Sequence, residues 1–81
     1  MSPDELRAAI IGELKRIAPE IEEGELSPTR PLRDQVDLDS MDWLNFLVAL
    51  HERLKVELPE SDYTRLGTID QIVAYVAGKQ A

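Results

Sequence analysis

The first apolar stripe of the chain follows a group of helix-initiating residues. Ser2 can cap a helix, Pro3 suits its first position, and Glu5 stands three residues after Ser2, as a capping box requires. Apolar residues then recur every three or four positions, the spacing of one helical face: Leu6, Ile10, Leu14, Ile17 and Ile21. The pattern predicts a first helix that ends before Pro19, because a proline disfavours helical geometry in the residue that precedes it.

Residues 19–38 carry no sustained hydrophobic period. Prolines and a glycine interrupt the segment, and a structureless connection of this length is unusual in a small domain: Pro19, Gly24, Pro28 and Pro31. The remaining apolar residues are spaced along it: Leu26, Leu32, Val36 and Leu38. They predict a long loop that is held against a core by these side chains.

The second helix is predicted to run from an Asp39 cap to about Leu54, and it has two separate apolar faces. Each residue advances roughly 100° around the axis, so the broader face, which suits a core, comprises Trp43, Phe46, Leu47, Leu50 and Leu54. The narrower face and its polar border comprise Met41, Leu44 and Val48 with Asp42, Asn45 and Glu52. The alternative is a helix buried nearly all round, which is harder to arrange with so few other helices. We therefore interpret the narrower face as an exposed docking surface.

The remainder of the chain predicts one short helix around Glu60–Arg65, after the boundary at Pro59, and then a last helix. Thr68 and Gln71 have capping-box spacing, and Gly78 is expected to stop that helix. The inner stripe of the last helix comprises Ile69, Ile72, Val73 and Val76. Since no segment alternates as a strand would, we expect one all-α domain over residues 1–81, a bundle of three longer helices and one short helix with a long loop between helices one and two.

Composition and charge narrow the classes of function. The chain has 81 residues, no cysteine and a net charge of −7. Eight of its acidic residues lie between Asp34 and Asp62, against two basic ones, and such a surface repels nucleic acid and anionic lipid while favouring basic protein surfaces. No apolar run approaches the roughly 20 residues of a membrane span. We expect a soluble, cytoplasmic monomer with no nucleic-acid partner, no membrane insertion and no thiol chemistry of its own.

Ser40 is the residue with the strongest chemical signal. In the stretch QVDLDSMDWL it follows the predicted cap Asp39, so its hydroxyl is free of the capping task. It has no base, because the only histidine, His51, lies roughly 16 Å further along the same helix. The nearby acids do not form a calcium loop, since Met41 occupies a ligand position and the required glycine is missing. We predict no enzyme and no metal site, but an exposed serine whose surroundings tolerate a phosphate ester.

The sequence from residue 38 to residue 76, LDSMDWLNFLVALHERLKVELPESDYTRLGTIDQIVAYV, resembles the acyl carrier proteins of fatty acid and polyketide synthesis. The resemblance rests on their D-S-[LM]-[DE] attachment motif, followed in register by an apolar helix, a V-E-L-P exit, a short helix and a Thr-capped last helix. The upstream LSPTRPLRDQVDLDS is similar to the long first loop of that family.

This resemblance implies that Ser40, with Asp39 in the motif, carries 4′-phosphopantetheine, which a separate phosphopantetheinyl transferase attaches from coenzyme A. The thiol of the arm would hold acyl groups as thioesters for fatty acid, polyketide or specialised lipid synthesis. Partner enzymes that activate or transfer acyl groups, and synthases, would contact the narrower helix face through Met41, Asp42, Leu44, Asn45, Val48 and Glu52.

One departure from the family concerns the space that shelters the acyl chain. Trp43 stands where the family usually has a small residue, so with Phe46 and Leu47 it is a candidate for filling or reshaping that space. Ordinary core packing is an equally good interpretation of this tryptophan. Asp37 also replaces the glycine that the family usually has three residues before the serine, and Asn45, His51 and Arg53 stand where acids are common. Together these departures lead to the hypothesis of a specialised, stand-alone carrier with its own set of partners.

Two other functions are compatible with the sequence. The chain could be an aminoacyl or peptidyl carrier, although those relatives more often have Gly-Gly-x-Ser at the attachment site. It could also be a helical interaction module whose serine is never modified. Loading assays with amino-acid and fatty-acid activating enzymes distinguish the first alternative, and Ser40→Ala distinguishes the second.

Overall fold

A computed structural model describes residues 1–80 and contains only helices and connections over that range, which confirms the all-α prediction. In chain order the helices are α1 (Pro3–Ile17), a 3₁₀ helix (Glu23–Glu25), the one-turn α2 (Leu32–Gln35), α3 (Ser40–Leu54), a second 3₁₀ helix (Glu60–Arg65) and α4 (Ile69–Gln80). The predicted three longer helices are therefore α1, α3 and α4, and the predicted short helix is the second 3₁₀ helix.

α1 begins with the predicted capping box. The backbone N–H of Glu5 donates to Ser2 Oγ at 3.2 Å, and the N–H of Ser2 donates to Glu5 Oε1 at 3.0 Å. The bond from the Ser2 backbone holds the pKa of the Glu5 carboxyl below its ordinary value. The helix ends at Ile17, with Ala18 as the C-terminal cap, before Pro19 as predicted.

A single hydrophobic core lies where α1 packs against α3 and α4. From α1 it receives Leu6, Ile10 and Leu14, all fully buried. The five residues of the broad α3 face and the four residues of the α4 stripe are also buried, as predicted: Trp43, Phe46, Leu47, Leu50 and Leu54, and Ile69, Ile72, Val73 and Val76. Ile17 is only half-buried, and Ile21 is buried from outside the helix.

The connection between α1 and α3 is more ordered than the sequence predicts. It contains α2 and a 3₁₀ turn, and its apolar side chains reach the core as expected: Leu32, Val36 and Leu38 are buried and Leu26 packs on the cluster. Two backbone bonds attach it to the start of α4, from the N–H of Leu32 to the carbonyl of Gly67 at 2.8 Å and from the N–H of Asp70 to the carbonyl of Pro28 at 3.0 Å.

The second 3₁₀ helix is attached to α4 by a tyrosine. Tyr75 Oη donates to Asp62 Oδ2 at 2.7 Å, and this hydrogen bond raises the pKa of the Tyr75 phenol above its usual value of 10.0. The side chains of Arg65 and Lys79 lie 5.6 and 5.4 Å from the centroid of its ring. Together these contacts hold the segment after α3 in place.

The two ends of α4 differ in how well the sequence predicts them. At the start, the N–H of Gln71 donates to Thr68 Oγ1 at 3.0 Å and the N–H of Thr68 donates to Gln71 Oε1 at 3.1 Å, so the predicted capping box is confirmed. At the other end the prediction was wrong, because α4 continues through Gly78 to Gln80. Gly78 is exposed and its φ is not positive, so it does not adopt the left-handed conformation that ends a helix at glycine.

Candidate functional site

Ser40 is the first residue of α3, and its side chain is exposed. The preceding residue, Asp39, is the cap: the N–H of Asp42 donates to Asp39 Oδ1 at 2.8 Å, and the N–H of Trp43 donates to the Asp39 carbonyl at 3.0 Å. Asp42 lies in the first turn, where its charge complements the helix dipole. The structure therefore places a hydroxyl at a helix start where another residue already performs the capping.

Beside Ser40, α3 exposes a strip of large apolar side chains. Met41, Leu44 and Val48 are 67%, 43% and 50% exposed. Large apolar side chains that are exposed side by side usually mark an interaction surface. Asn45 and Glu52 on the neighbouring sector are exposed, and Asp42 is half-buried. The expected second apolar face is thus open to solvent, and its contact with partners stays a prediction.

The three acyl-pocket candidates lie on the opposite side of α3. Trp43 is 8% exposed, Phe46 is fully buried, and their ring centroids are 5.3 Å apart with the planes tilted by 37°. Leu47 is also buried, and it lines a small surface cleft of about 170 Å³ between α3 and the segment that follows it. Trp43 and Phe46 do not line that cleft, so Leu47 is the one candidate of the three that faces it, and their role as an acyl pocket stays a prediction.

His51 is held at the far end of α3. Its Nδ1 lies 2.8 Å from the carbonyl oxygen of Val56, just beyond the helix, where Lys55 adopts a left-handed conformation with a φ of 55°. Since Ser40 and His51 are eleven residues apart, roughly 16 Å along the axis, this imidazole is too far away to activate the serine. Over residues 1–80, no three His, Cys, Asp or Glu side chains lie close enough together to hold a metal ion.

The start of α3 fits a phosphate ester on Ser40. The first N–H groups of a helix have no partner within the helix, and they carry the positive end of its dipole. Only the later N–H groups of the turn are occupied, since those of Asp42 and Trp43 bond to Asp39. Exposure of Ser40 leaves room for a long substituent to extend into solvent.

Two features of the structure were not predicted from the sequence. Glu13 is 4% exposed and pairs with Arg53 Nη1 at 3.1 Å and Arg16 Nη1 at 3.4 Å, so a buried carboxylate joins α1 to α3. Gln35 bonds to the backbone of Ser27 and Arg30. The glutamate interrupts the hydrophobic pattern of α1, and nothing nearby in the sequence indicates that it pairs with Arg53, which is forty residues away.

Comparison with known proteins places this geometry in a family. The family model described as the phosphopantetheine attachment site matches residues 4–76. The acyl carrier protein of Streptomyces coelicolor is 31% identical over 74 residues, which are 91% of this chain and 76% of that protein. The chain belongs to the acyl carrier protein family, whose members are carriers with 4′-phosphopantetheine as their prosthetic group.

Two further relatives show how much of this chain resembles other acyl carrier proteins. The solution structure of a protein described as an acyl carrier protein, from Anaplasma phagocytophilum, superposes with a TM-score of 0.85 at 27% identity and covers 100% of this chain and 94% of its own. The meromycolate extension acyl carrier protein of Mycobacterium tuberculosis is 30% identical over 56 residues, 69% of this chain but only 49% of that protein. Among residues 1–80, no helix is long and apolar enough to cross a membrane.

Proposed function

We propose that Ser40 is the residue that carries 4′-phosphopantetheine and that residues 1–81 form one domain, a monomeric acyl carrier. The observation that supports this most is the exposed Ser40 hydroxyl at the start of α3, freed by the Asp39 cap. The bound group would supply a terminal thiol that holds acyl groups as thioesters, and this chemistry is otherwise absent from a chain without cysteine.

The loading step needs a separate enzyme. Ser40 Oγ forms a bond to the phosphorus next to the pantetheine of coenzyme A, the phosphoanhydride bond breaks, and adenosine 3′,5′-bisphosphate leaves. The hydroxyl proton passes to a base of the phosphopantetheinyl transferase, because His51 of this chain is too distant. Magnesium in that reaction neutralises the phosphates and belongs to the transferase. A carrier loaded from coenzyme A works where that donor is available, and we place it in the cytoplasm.

The cargo we propose is an acyl group of fatty acid, polyketide or specialised lipid synthesis. The relatives named as acyl carriers support acyl rather than aminoacyl cargo, and one of them is named for meromycolate extension. Enzymes that activate or transfer acyl groups would dock on Met41, Leu44 and Val48, since this exposed strip buries apolar surface on contact. The carboxylates beside the strip would meet basic residues of those enzymes.

The test is the intact mass of the chain after incubation with coenzyme A, magnesium and a phosphopantetheinyl transferase. Ser61→Ala is a matched control, because Ser61 is also exposed but lies in the second 3₁₀ helix. We expect the wild type and the control to gain one phosphopantetheinyl group and Ser40→Ala to gain none, with the helical circular dichroism of all three unchanged.

Two results would contradict the proposal. A gain of mass by Ser40→Ala would move the attachment to another residue. No gain in any of the three chains, with the transferase of the source organism, would favour the helical interaction module instead. Once loading is established, competing assays with fatty-acid and amino-acid activating enzymes identify the class of cargo.

A further inference from the structure

A groove of about 480 Å³ lies within the connection that joins α1 to α3. Its lining includes an apolar part, in which Ile21 and Val36 are buried and Leu26 is half-buried. Around this apolar part are one basic residue, Arg30, and five exposed carboxylates: Glu20, Glu22, Glu25, Asp34 and Asp37. The side chains of the groove therefore have a net charge of −4 around an apolar floor.

Hydrogen bonds within the chain hold one side of this groove in place. Gln35, which lines it, receives a bond from the N–H of Ser27 at 2.6 Å and donates to the carbonyls of Ser27 and Arg30, both at 2.9 Å. The buried Leu32 and its bond to the Gly67 carbonyl attach the same segment to the bundle. A preformed groove loses little conformational entropy when a partner enters it.

The groove also lies close to the proposed attachment residue. Asp37, at its edge, precedes Ser40 by three residues, which span at most about 11 Å of extended chain. The enzyme that modifies Ser40 must bring its own catalytic groups to Oγ, so it must cover the residues around the start of α3. Enzymes that act later reach the end of the flexible arm and, as proposed above, dock on Met41, Leu44 and Val48, none of which lines the groove.

We propose that the groove is a docking site for a basic amphipathic segment of the phosphopantetheinyl transferase, which enters it while the enzyme acts on Ser40. This inference rests on the function proposed above. The occupant has lysine or arginine side chains that face the five carboxylates and an apolar side chain that covers Ile21, Leu26 and Val36. Such complementarity steers the encounter and fixes the orientation of the two proteins.

The experiment compares charge reversal at two adjacent residues. Glu22 lines the groove and Glu23 does not, yet both are exposed, so Glu22→Lys and Glu23→Lys change the net charge equally. Loading of each variant is measured with the transferase of the source organism. We expect Glu22→Lys to raise the KM about tenfold with kcat unchanged, and Glu23→Lys to change the KM by less than about twofold.

A second measurement separates docking from modification. Each reversal is also made in the Ser40→Ala chain, which cannot be loaded, and the Kd for the transferase is measured by calorimetric titration. A weaker Kd for Glu22→Lys only supports the groove even if the mass assay of the wild type fails. The inference about the groove would be overturned by equal effects of the two reversals, by no effect of either, or by no binding of the Ser40→Ala chain. Loading of the wild type would in each case still support Ser40 as the attachment residue.

Discussion

At the residue scale, the start of α3 divides two tasks between neighbours. Asp39 bonds to the N–H of Asp42, and a cap of this kind typically contributes about 1 kcal/mol to stability. Ser40 follows it with an exposed hydroxyl. If the serine were the cap, modification of its oxygen would remove that stabilising bond. The arrangement observed allows Ser40 to carry a substituent while the helix keeps its cap.

Trp43 is the residue whose role is most open to test. We expect Trp43→Thr to widen the range of acyl lengths that the carrier protects, because it opens space in the core next to the start of α3. The substitution should lower the free energy of unfolding by about 3 kcal/mol, as for other large-to-small changes in cores. The measurement is the rate of thioester hydrolysis for a series of acyl lengths loaded on each chain.

Leu14→Ala is the control for this prediction, since it creates space in the same core by a change in α1 and leaves every residue of α3 unchanged. Trp43→Leu replaces Trp43→Thr if the latter does not fold. Unchanged protection in a folded Trp43 variant, or an equal effect of Leu14→Ala, would mean that Trp43 serves core packing only.

At the scale of the helices, the pairing of Glu13 with Arg53 predicts a measurable coupling between α1 and α3. Arg53→Met leaves the Glu13 carboxylate, 4% exposed, with only the 3.4 Å contact to the exposed Arg16 side chain. Since Arg53 is itself half exposed, solvent screens the pair, and we expect a loss of about 1–2 kcal/mol in the free energy of unfolding. The double variant Glu13→Leu/Arg53→Met should recover part of that loss, because no unpaired charge stays buried.

Urea denaturation of the wild type, both single variants and the double variant measures this coupling. Lys15→Met is the control, because Lys15 is exposed on the same helix, and we expect it to change stability by less than about 0.5 kcal/mol. A double variant as unstable as the sum of the two singles would show that the two side chains do not interact.

Contacts between residues far apart in the chain separate the features that the sequence predicts from those that it does not. The bounds of α3 and its two faces were predictable, because Asp39 and the spacing from Met41 to Leu54 are local signals. The turn α2 was not, since the bond from Leu32 to Gly67 depends on a residue far along the chain. The burial of Glu13 depends in the same way on Arg53. The exposure of the strip at Met41, Leu44 and Val48 was predictable, because the chain has few helices that could cover it. The groove was not predictable, because it forms only when the loop folds.

At the scale of the whole molecule, acidic side chains surround the proposed attachment site. The net charge is −7, with a local excess of acids from Asp34 to Asp62. The apolar strip on α3 and the acidic groove before it both lie within or next to this region. A partner therefore meets a long-range negative field first and apolar contacts only at short distance, which is an order of events that favours rapid encounter.

This charge distribution predicts that salt affects loading and stability in opposite directions. Added sodium chloride shortens the Debye length from about 10 Å at 0.1 M to about 3 Å at 1 M. Loading by the transferase should then slow, with kcat/KM falling roughly tenfold from low to high salt, because the attraction to basic surfaces is screened. The midpoint of thermal unfolding should instead rise, because the same screening weakens repulsion among the acidic side chains.

Rates of loading and unfolding midpoints measured across one salt series check both trends. If kcat/KM and the unfolding midpoint fell together, salt would be acting on the fold, and a constant kcat/KM would show that the acidic region does not steer the enzyme.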